Sequence, residues 1–277
     1  MTIEMTGQEI GLAPVQAQYP ENSVRALVST TLLQTKRILT RWARDFVTVI
    51  EALVFPILFL LVLKIVLGSL IYAMTHDNAM YSIVPLIALG GAVSGSTFVA
   101  IDLMRERTSG LLSRLWVLPV HRASGLLARV LADAVRILFT TIVMLGAGVV
   151  MGFRFRLGFL PSLMWFSVPV ILGVAFAISV TTVALHIGQV LVVEAVEVGQ
   201  ALMIFFSTGL LPLDQYPKWI QPVVEYQPVS FAVAAMRGLS TGGPVLVPYL
   251  ATLGWAAFIC VTSAVPLAMG YRRACTH

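Results

Sequence analysis

The sequence predicts an all-α membrane protein with six transmembrane helices, an N-terminal amphipathic helix in the membrane interface, and a re-entrant hairpin before the last span. Three observations carry this. First, 58% of the 277 residues are hydrophobic, 11% are charged and the mean hydropathy is +0.91, whereas soluble domains carry about 25% charged residues. Second, the apolar residues fall in six runs near the roughly 20 residues that a membrane helix needs. Third, lysine and arginine are spread unevenly over the segments that join those runs, which is what sets orientation in a bilayer. A net charge of +5 and a pI near 9.5 would suit nucleic acid if the basic residues formed a soluble patch. Here they flank the apolar runs instead.

Residues 1–23 read as a disordered cytoplasmic tail. They are polar, carry Pro14, Pro20, Glu4, Glu9 and Glu21, and lack the pattern of a secretory signal. Residues 24–277 read as one transmembrane domain. Val24–Arg44 has helical period: Val24, Leu27, Val28, Leu32, Ile38, Leu39 and Trp42 share one arc, while Arg25, Lys36, Arg37, Arg41 and Arg44 lie opposite. An apolar face with a tryptophan, backed by a face of lysine and arginine, describes a helix lying in the interface. An ordinary amphipathic core helix is the alternative. The predicted spans are 46–72, kinked or broken near Pro56; 81–101; 130–151; 160–185; 189–213; and 245–270. The second contains the small-residue run Gly90–Ser96, which suits close approach of a neighbouring helix. Cys260, inside the last span, and Cys275 make no disulfide framework.

Counting positive residues orients the chain. With the amino terminus inside, the inner segments hold Arg25, Lys36, Arg37, Arg41, Arg44, Arg105, Arg107, Arg114, Arg122, Arg129, Arg136, Arg272 and Arg273. The outer segments hold Arg154, Arg156, Lys218 and Arg237, and Lys64 belongs to the first span. Thirteen against four puts both termini in the cytoplasm. It also puts there the most charged stretch of the chain, Asp102–Arg122, with Asp102, Arg105, Glu106, Arg107, Arg114 and Arg122. On the outer side, Leu211–Pro244 carries Pro212, Pro217, Pro222 and Pro228 interleaved with Tyr216, Trp219 and Tyr226. Its pieces Ile220–Val224 and Val229–Met236 are too short to span but apolar enough to dip into the outer leaflet, hence the re-entrant hairpin. A surface loop with its aromatics in the interfacial belt is the alternative.

The chemistry of enzymes finds little support. The lysines Lys36, Lys64 and Lys218 do not fit the GxxxxGK[ST] spacing of a phosphate loop, so any ATP is hydrolysed by another chain. Ser94 or Ser96 with His186 could form a nucleophile–base pair, but no G-x-S-x-G occurs. His76, His121, His186 and His277 are scattered without metal-ligand spacing, so no metal and no catalytic residue is expected. Charges inside spans are the default functional suspects. Glu51 and Lys64 lie about 20 Å apart along one helix, Glu51 within reach of Arg41 or Arg44 and Lys64 able to snorkel to the outer headgroups. Asp133 has Arg129 and Arg136 as local partners. Glu194 and Glu197 share a face, pairing locally or with a basic partner from the interfacial helix; a proton relay is the alternative.

These features together resemble the permease subunits of type-2 ABC exporters. ERTSGLLSRLWVLPVHR, Glu106–Arg122, is similar to that family's first cytoplasmic loop, in which Glu106, Gly110 and Pro119 are the recurring positions. The resemblance implies that this loop is the coupling helix, so Arg105, Glu106, Arg107, Gly110 and Pro119 become candidates for ATPase coupling. Pro228, Val229, Ser230, Phe231 and Arg237 keep the spacing of the family's outer signature, with Val229 and Phe231 departing from its residue types. Pro212, Pro228 and Arg237 are the hairpin candidates. Longer strings, among them YSIVPLIALG, GSTFVAIDLMRER and PVSFAVAAMRG, are similar to the mycobacterial daunorubicin-resistance type. That resemblance implies a plasma-membrane exporter with no cofactor of its own, a DrrA-like ATPase holding ATP and Mg, and a DrrB-like second permease. It also implies a hydrophobic cargo, phthiocerol dimycocerosate or phenolic glycolipid, with daunorubicin- or doxorubicin-type drugs as others. A lipid-modifying enzyme using Glu194, Glu197 and His186, a non-transporting assembly or sensor subunit, and a polysaccharide exporter of the same family remain alternatives.

Overall fold

The computed structural model describes residues 23–75, 78–108, 124–187 and 190–276. The tail expected at 1–23 lies, apart from Ser23, outside the described residues, and so does loop 109–123. Every regular element described is helical. In chain order these are α1 (Val24–Arg44), α2 (Phe46–Thr75), α3 (Met80–Thr108), α4 (Ser124–Val150), α5 (Phe159–Ile187), α6 (Val190–Phe205), a 3-10 turn (Leu213–Gln215), α7 (Gln221–Tyr226), α8 (Pro228–Thr241) and α9 (Leu246–Thr276).

Short polar side chains mark the helix starts. The Ser23 hydroxyl accepts the Ala26 N–H at 3.1 Å and caps α1. Asp45 separates α1 from α2 and then caps the second, accepting from Thr48 N at 3.3 Å and from its hydroxyl at 2.7 Å. Asn78 accepts from Met80 N at 3.0 Å and opens α3. Proline leads α8 where its missing N–H costs nothing, and Gly242 ends it at φ 95°, the left-handed conformation that favours glycine.

Helices α3 and α5 form the centre of the bundle. Most of Met80–Thr97 is buried, 83% of that stretch, against 11% of Phe46–Ala73 in α2. The two central helices meet at Gly173, where an added Cβ would sit 3.0 Å from the Ala92 carbonyl oxygen and 2.8 Å from Ile137 Cδ1. Only glycine permits that approach. Helix α9 packs along α5, α4 along α3 and α1, and α8 against α3, α5 and α9. The exposed faces of α2 and α9 are apolar, with Phe55, Ile65, Val66, Val261 and Val265 all outside the core, as faces turned to lipid must be.

Several expectations need correction. Pro56 does not break the first span, because α2 is one helix through it. The third span begins at Ser124, about a turn and a half before 130, which brings Arg129 onto α4. The expected fifth span, 189–213, is helical only over Val190–Phe205. Its 16 residues measure about 24 Å, short of the roughly 30 Å hydrocarbon layer. Among the described residues, five helices are long and apolar enough to cross a membrane. Finally, 211–244 divides in two, with Trp219, Val223 and Tyr226 exposed in its first half. Its α8 buries Val229, Ala232, Val233, Ala235, Met236 and Leu239 in the core.

Candidate coupling site

Near the cytoplasmic end expected of α3, Glu106 is 6% exposed and faces three arginines from two other helices. Arg129 of α4, itself largely buried, donates to Glu106 Oε2. From α1, Arg41 Nη1 stands 3.5 Å and Arg37 Nη2 3.8 Å from Oε1. One turn apart, Arg37 and Arg41 point from the same helix face at the same carboxylate. Their separations lie beyond good hydrogen-bond length, so the attraction is Coulombic and long-ranged. A carboxylate this buried needs compensation, and here it comes from the two helices that flank the end of α3. The hub therefore ties α1, α3 and α4 together beside the point where α3 ends at Thr108.

The charges continue along α4. Asp133 lies one turn beyond Arg129, and its Oδ1 is 3.2 Å from Arg136 Nη2. The same Nη2 donates to the Gly95 carbonyl on α3 at 2.7 Å. A Cβ on Gly95 would meet that guanidinium at 3.1 Å, so this part of the small-residue run admits an arginine head. Next to it, Ser96 donates to Val93 O at 2.7 Å and accepts from Gln200 of α6 at 3.4 Å. Helix α1 is joined to α4 independently. The Thr35 hydroxyl reaches Ala128 O at 3.3 Å, and Trp42 meets Phe139 edge-on at 5.9 Å.

The sequence-derived candidates separate clearly on this geometry. Glu106 is held inside the chain. Arg105 and Arg107 lie on α3 with side chains outside the described residues, and Gly110 and Pro119 are outside them altogether. Glu51 and Glu194 are exposed, Glu197 is half-buried, and no ion pair to any of them occurs among the described residues. The arginines of the α1 hub turn to Glu106 instead. Arg129 pairs with Glu106, whereas Asp133 keeps Arg136. Lys64 donates to the Met151 carbonyl at 2.7 Å, a protein partner in place of headgroups. Ser94 donates to Gly90 O at 2.8 Å and His186 Nδ1 lies 2.9 Å from Thr182 O, each bonded within its own helix, so no nucleophile–base pair forms. No metal-binding group of three His, Cys, Asp or Glu occurs among the described residues.

In the segment expected to form the outer hairpin, Pro212 precedes the 3-10 turn, Pro228 opens α8, and Arg237 lies half-buried within α8. Ser230 accepts from Thr208 N at 3.2 Å and from Gln227 Nε2 at 3.1 Å. Gln227 also donates to Phe206 O. Tyr216 donates to Ser207 O at 3.0 Å. These bonds clamp the end of α6 to the start of α8. The Glu106 hub was missed by reasoning on single helices. Its available signal is that α1 holds five basic residues and no acid, so its charge must be met from elsewhere.

Comparison with known proteins agrees with this architecture. Residues 29–240 match the family model described as ABC-2 type transporter. The chain is 66% identical over 275 residues, 99% of its own length and 100% of the relative's, to the probable doxorubicin resistance ABC transporter permease protein DrrC of Mycobacterium tuberculosis. It is 25% identical over 248 residues, 87% of this chain and 86% of the other, to the daunorubicin resistance ABC transporter permease protein DrrB1 of Streptomyces coeruleorubidus. An all-helical bundle matched by the family model over most of its length, and near-collinear with such a permease, is a multi-pass membrane protein of the ABC-2 type transporter family.

Proposed function

We propose that this chain is the permease subunit of an ATP-driven exporter, with both termini in the cytoplasm and loop 109–123 acting as the coupling helix that docks a separate ATPase. The observation that carries the reading is the Glu106 hub beside the end of α3 at Thr108. A push on the loop moves the end of α3, and with it the arginines of α1 and α4. The charges of α4 carry that motion on to Gly95, deep in the α3 segment. Glu106 thus acts as the fixed end of a lever, a positioning role distinct from direct contact with the ATPase. ATP and Mg belong to the partner, a DrrA-like ATPase, and the second half of the pathway to a DrrB-like permease.

On this reading α1 lies in the inner interface. The first half of its apolar arc is left uncovered by the bundle, with Val24 75%, Val28 51% and Leu32 55% exposed, while Trp42 at the far end packs on Phe139 of α4. Helix α6 completes a sixth crossing together with the turns after it, and α7 and α8 form the re-entrant hairpin on the outer side. The cargo is hydrophobic. Support comes from the apolar faces and from the names of the two relatives, which concern doxorubicin and daunorubicin resistance. A lipid such as phthiocerol dimycocerosate or phenolic glycolipid has the same character and remains part of the proposal.

The deciding experiment reconstitutes the chain with its ATPase and second permease and compares wild type with Glu106→Ala. Cargo-stimulated ATPase activity is expected to fall to the basal level while the complex still assembles. Unchanged coupled turnover overturns the role given to Glu106. Turnover of a lipid by the purified chain alone would instead favour the enzyme reading.

A further inference from the structure

Among the described residues, the hub holds more positive charge than negative. Glu106 offers one negative charge to three guanidinium groups, and its close contact is with Arg129 on the buried side. Arg37 and Arg41 are 45% and 58% exposed and reach the carboxylate only at 3.8 and 3.5 Å. Most of their donors therefore point elsewhere. Beside them, Lys36 and Arg44 have no ion-pair partner among the described residues, and Thr40 adds a hydroxyl. These side chains line an open groove of about 670 Å³ along the last three turns of α1. Among the described residues that line the groove, the one acid, Asp45, is engaged in capping α2.

We infer that this groove binds the phosphate headgroup of an anionic phospholipid of the inner leaflet. Four cations at positions 36, 37, 41 and 44 project over a space large enough for a headgroup, and charge complementarity calls for an anion there. The same helix exposes Val28, Leu32 and Leu33, an apolar flank that acyl chains can cover. Guanidinium groups suit phosphate oxygens because they donate in a fork. Since Arg37 and Arg41 also belong to the hub, a bound headgroup would hold them in place and so steady the end of α3. The inference rests on the interfacial placement of α1.

The test uses the full chain purified in mild detergent, with native mass spectrometry to count retained lipid. The probes are phosphatidylglycerol and cardiolipin, with phosphatidylcholine as the neutral comparison and inorganic phosphate as the soluble one. Wild type is expected to retain the anionic lipids over phosphatidylcholine, and Lys36→Gln/Arg44→Gln to lower that retention by about fivefold per charge removed. The outer control Arg154→Gln/Lys218→Gln is expected to leave it unchanged. Equal retention of neutral and anionic lipid, or no loss in the inner variant, overturns the proposal. So does full displacement by millimolar phosphate, which makes the site one for a soluble anion. Intact lipid retention with lost co-purification of the ATPase overturns it in favour of a protein-docking face. A spin label introduced by Val28→Cys, with Cys260 and Cys275 replaced by serine, reports depth separately. A label in water refutes the interfacial placement; a label in lipid with no anion preference refutes only the headgroup site.

Discussion

The two ends of this bundle, outer and inner in the orientation proposed above, are held by different forces. At the outer end, packing does the work. Tyr81, Phe153, Phe155, Trp165 and Phe166 form a chain of ring contacts with centroids 5.2 to 6.1 Å apart. Arg156 lies 4.7 Å over the Tyr81 ring, and Gly238 leaves so little room that a Cβ would meet Pro244 O at 2.8 Å. At the inner end charge takes a larger part: Arg129 contacts Glu106 directly, while Arg37 and Arg41 reach the same carboxylate only across 3.8 and 3.5 Å. A radial gap of about 0.5–1 Å already forfeits a quarter to a half of a van der Waals contact, whereas a charge pair weakens only as the inverse of distance. The outer end is built to hold one arrangement. The inner end can shift and stay attached, which suits the side where an ATPase would push.

The largest expected effect breaks the outer end. Trp165 is fully buried, and Trp165→Ala leaves a void in the aromatic chain. Such truncations cost about 3–5 kcal/mol in cores of this density. Thermal unfolding followed by size-exclusion in detergent should show a marked loss of stability. A variant as stable as wild type would mean that this end is not held by packing.

Next comes Gly238→Ala. The added methyl group meets backbone at Pro244, which cannot swing aside as a side chain can. Overpacking of this kind costs about 1–3 kcal/mol. The same measurement checks it, and Gly199→Ala, which meets open space on α6, serves as the comparison that should cost little.

How legible was this division in the sequence? The helical class and the apolar spans were visible because they depend on local pattern: the amphipathic stretch 24–44 and the apolar stretch from 46 differ in composition, and α1 and α2 divide between them. The two ends were less visible, since both are made by residues far apart in the chain. Glu106 and Arg129 are 23 positions apart and Gln227 and Phe206 are 21 apart. Asp133 had an arginine at both i−4 and i+3, and nothing local says that one of them turns to another helix. Span five failed for a related reason. Residues 206–213 are as apolar as a helix requires, but the bonds Thr208 N to Ser230 and Tyr216 to Ser207 satisfy that backbone in another way. Periodicity reads faces; it does not read which neighbour covers them.

At the inner end, Glu106→Gln keeps shape and removes charge, leaving Arg129 buried without its counter-ion. Removing one partner of a buried ion pair costs about 3–5 kcal/mol, as much as the tryptophan truncation but aimed at the lever. Cargo-stimulated ATPase activity should drop more than thermal stability does. If the two fall together, the hub is only structural.

The smallest effect is also the sharpest test of the comparison. Arg41 is 58% exposed and 3.5 Å from Glu106, so Arg41→Gln should change stability by no more than about 1 kcal/mol. What distinguishes it is salt. The Debye length falls from about 10 Å at 0.1 M to about 3 Å at 1 M, so high salt screens the wild-type contact and erases the difference between the two proteins. Gly238→Ala should show the same deficit at both ionic strengths, because van der Waals overlap has no charge to screen. Unfolding midpoints at the two salt concentrations decide it. A salt-independent deficit in Arg41→Gln would show that Arg41 contributes through packing of its stem, and the inner end would then be held as rigidly as the outer.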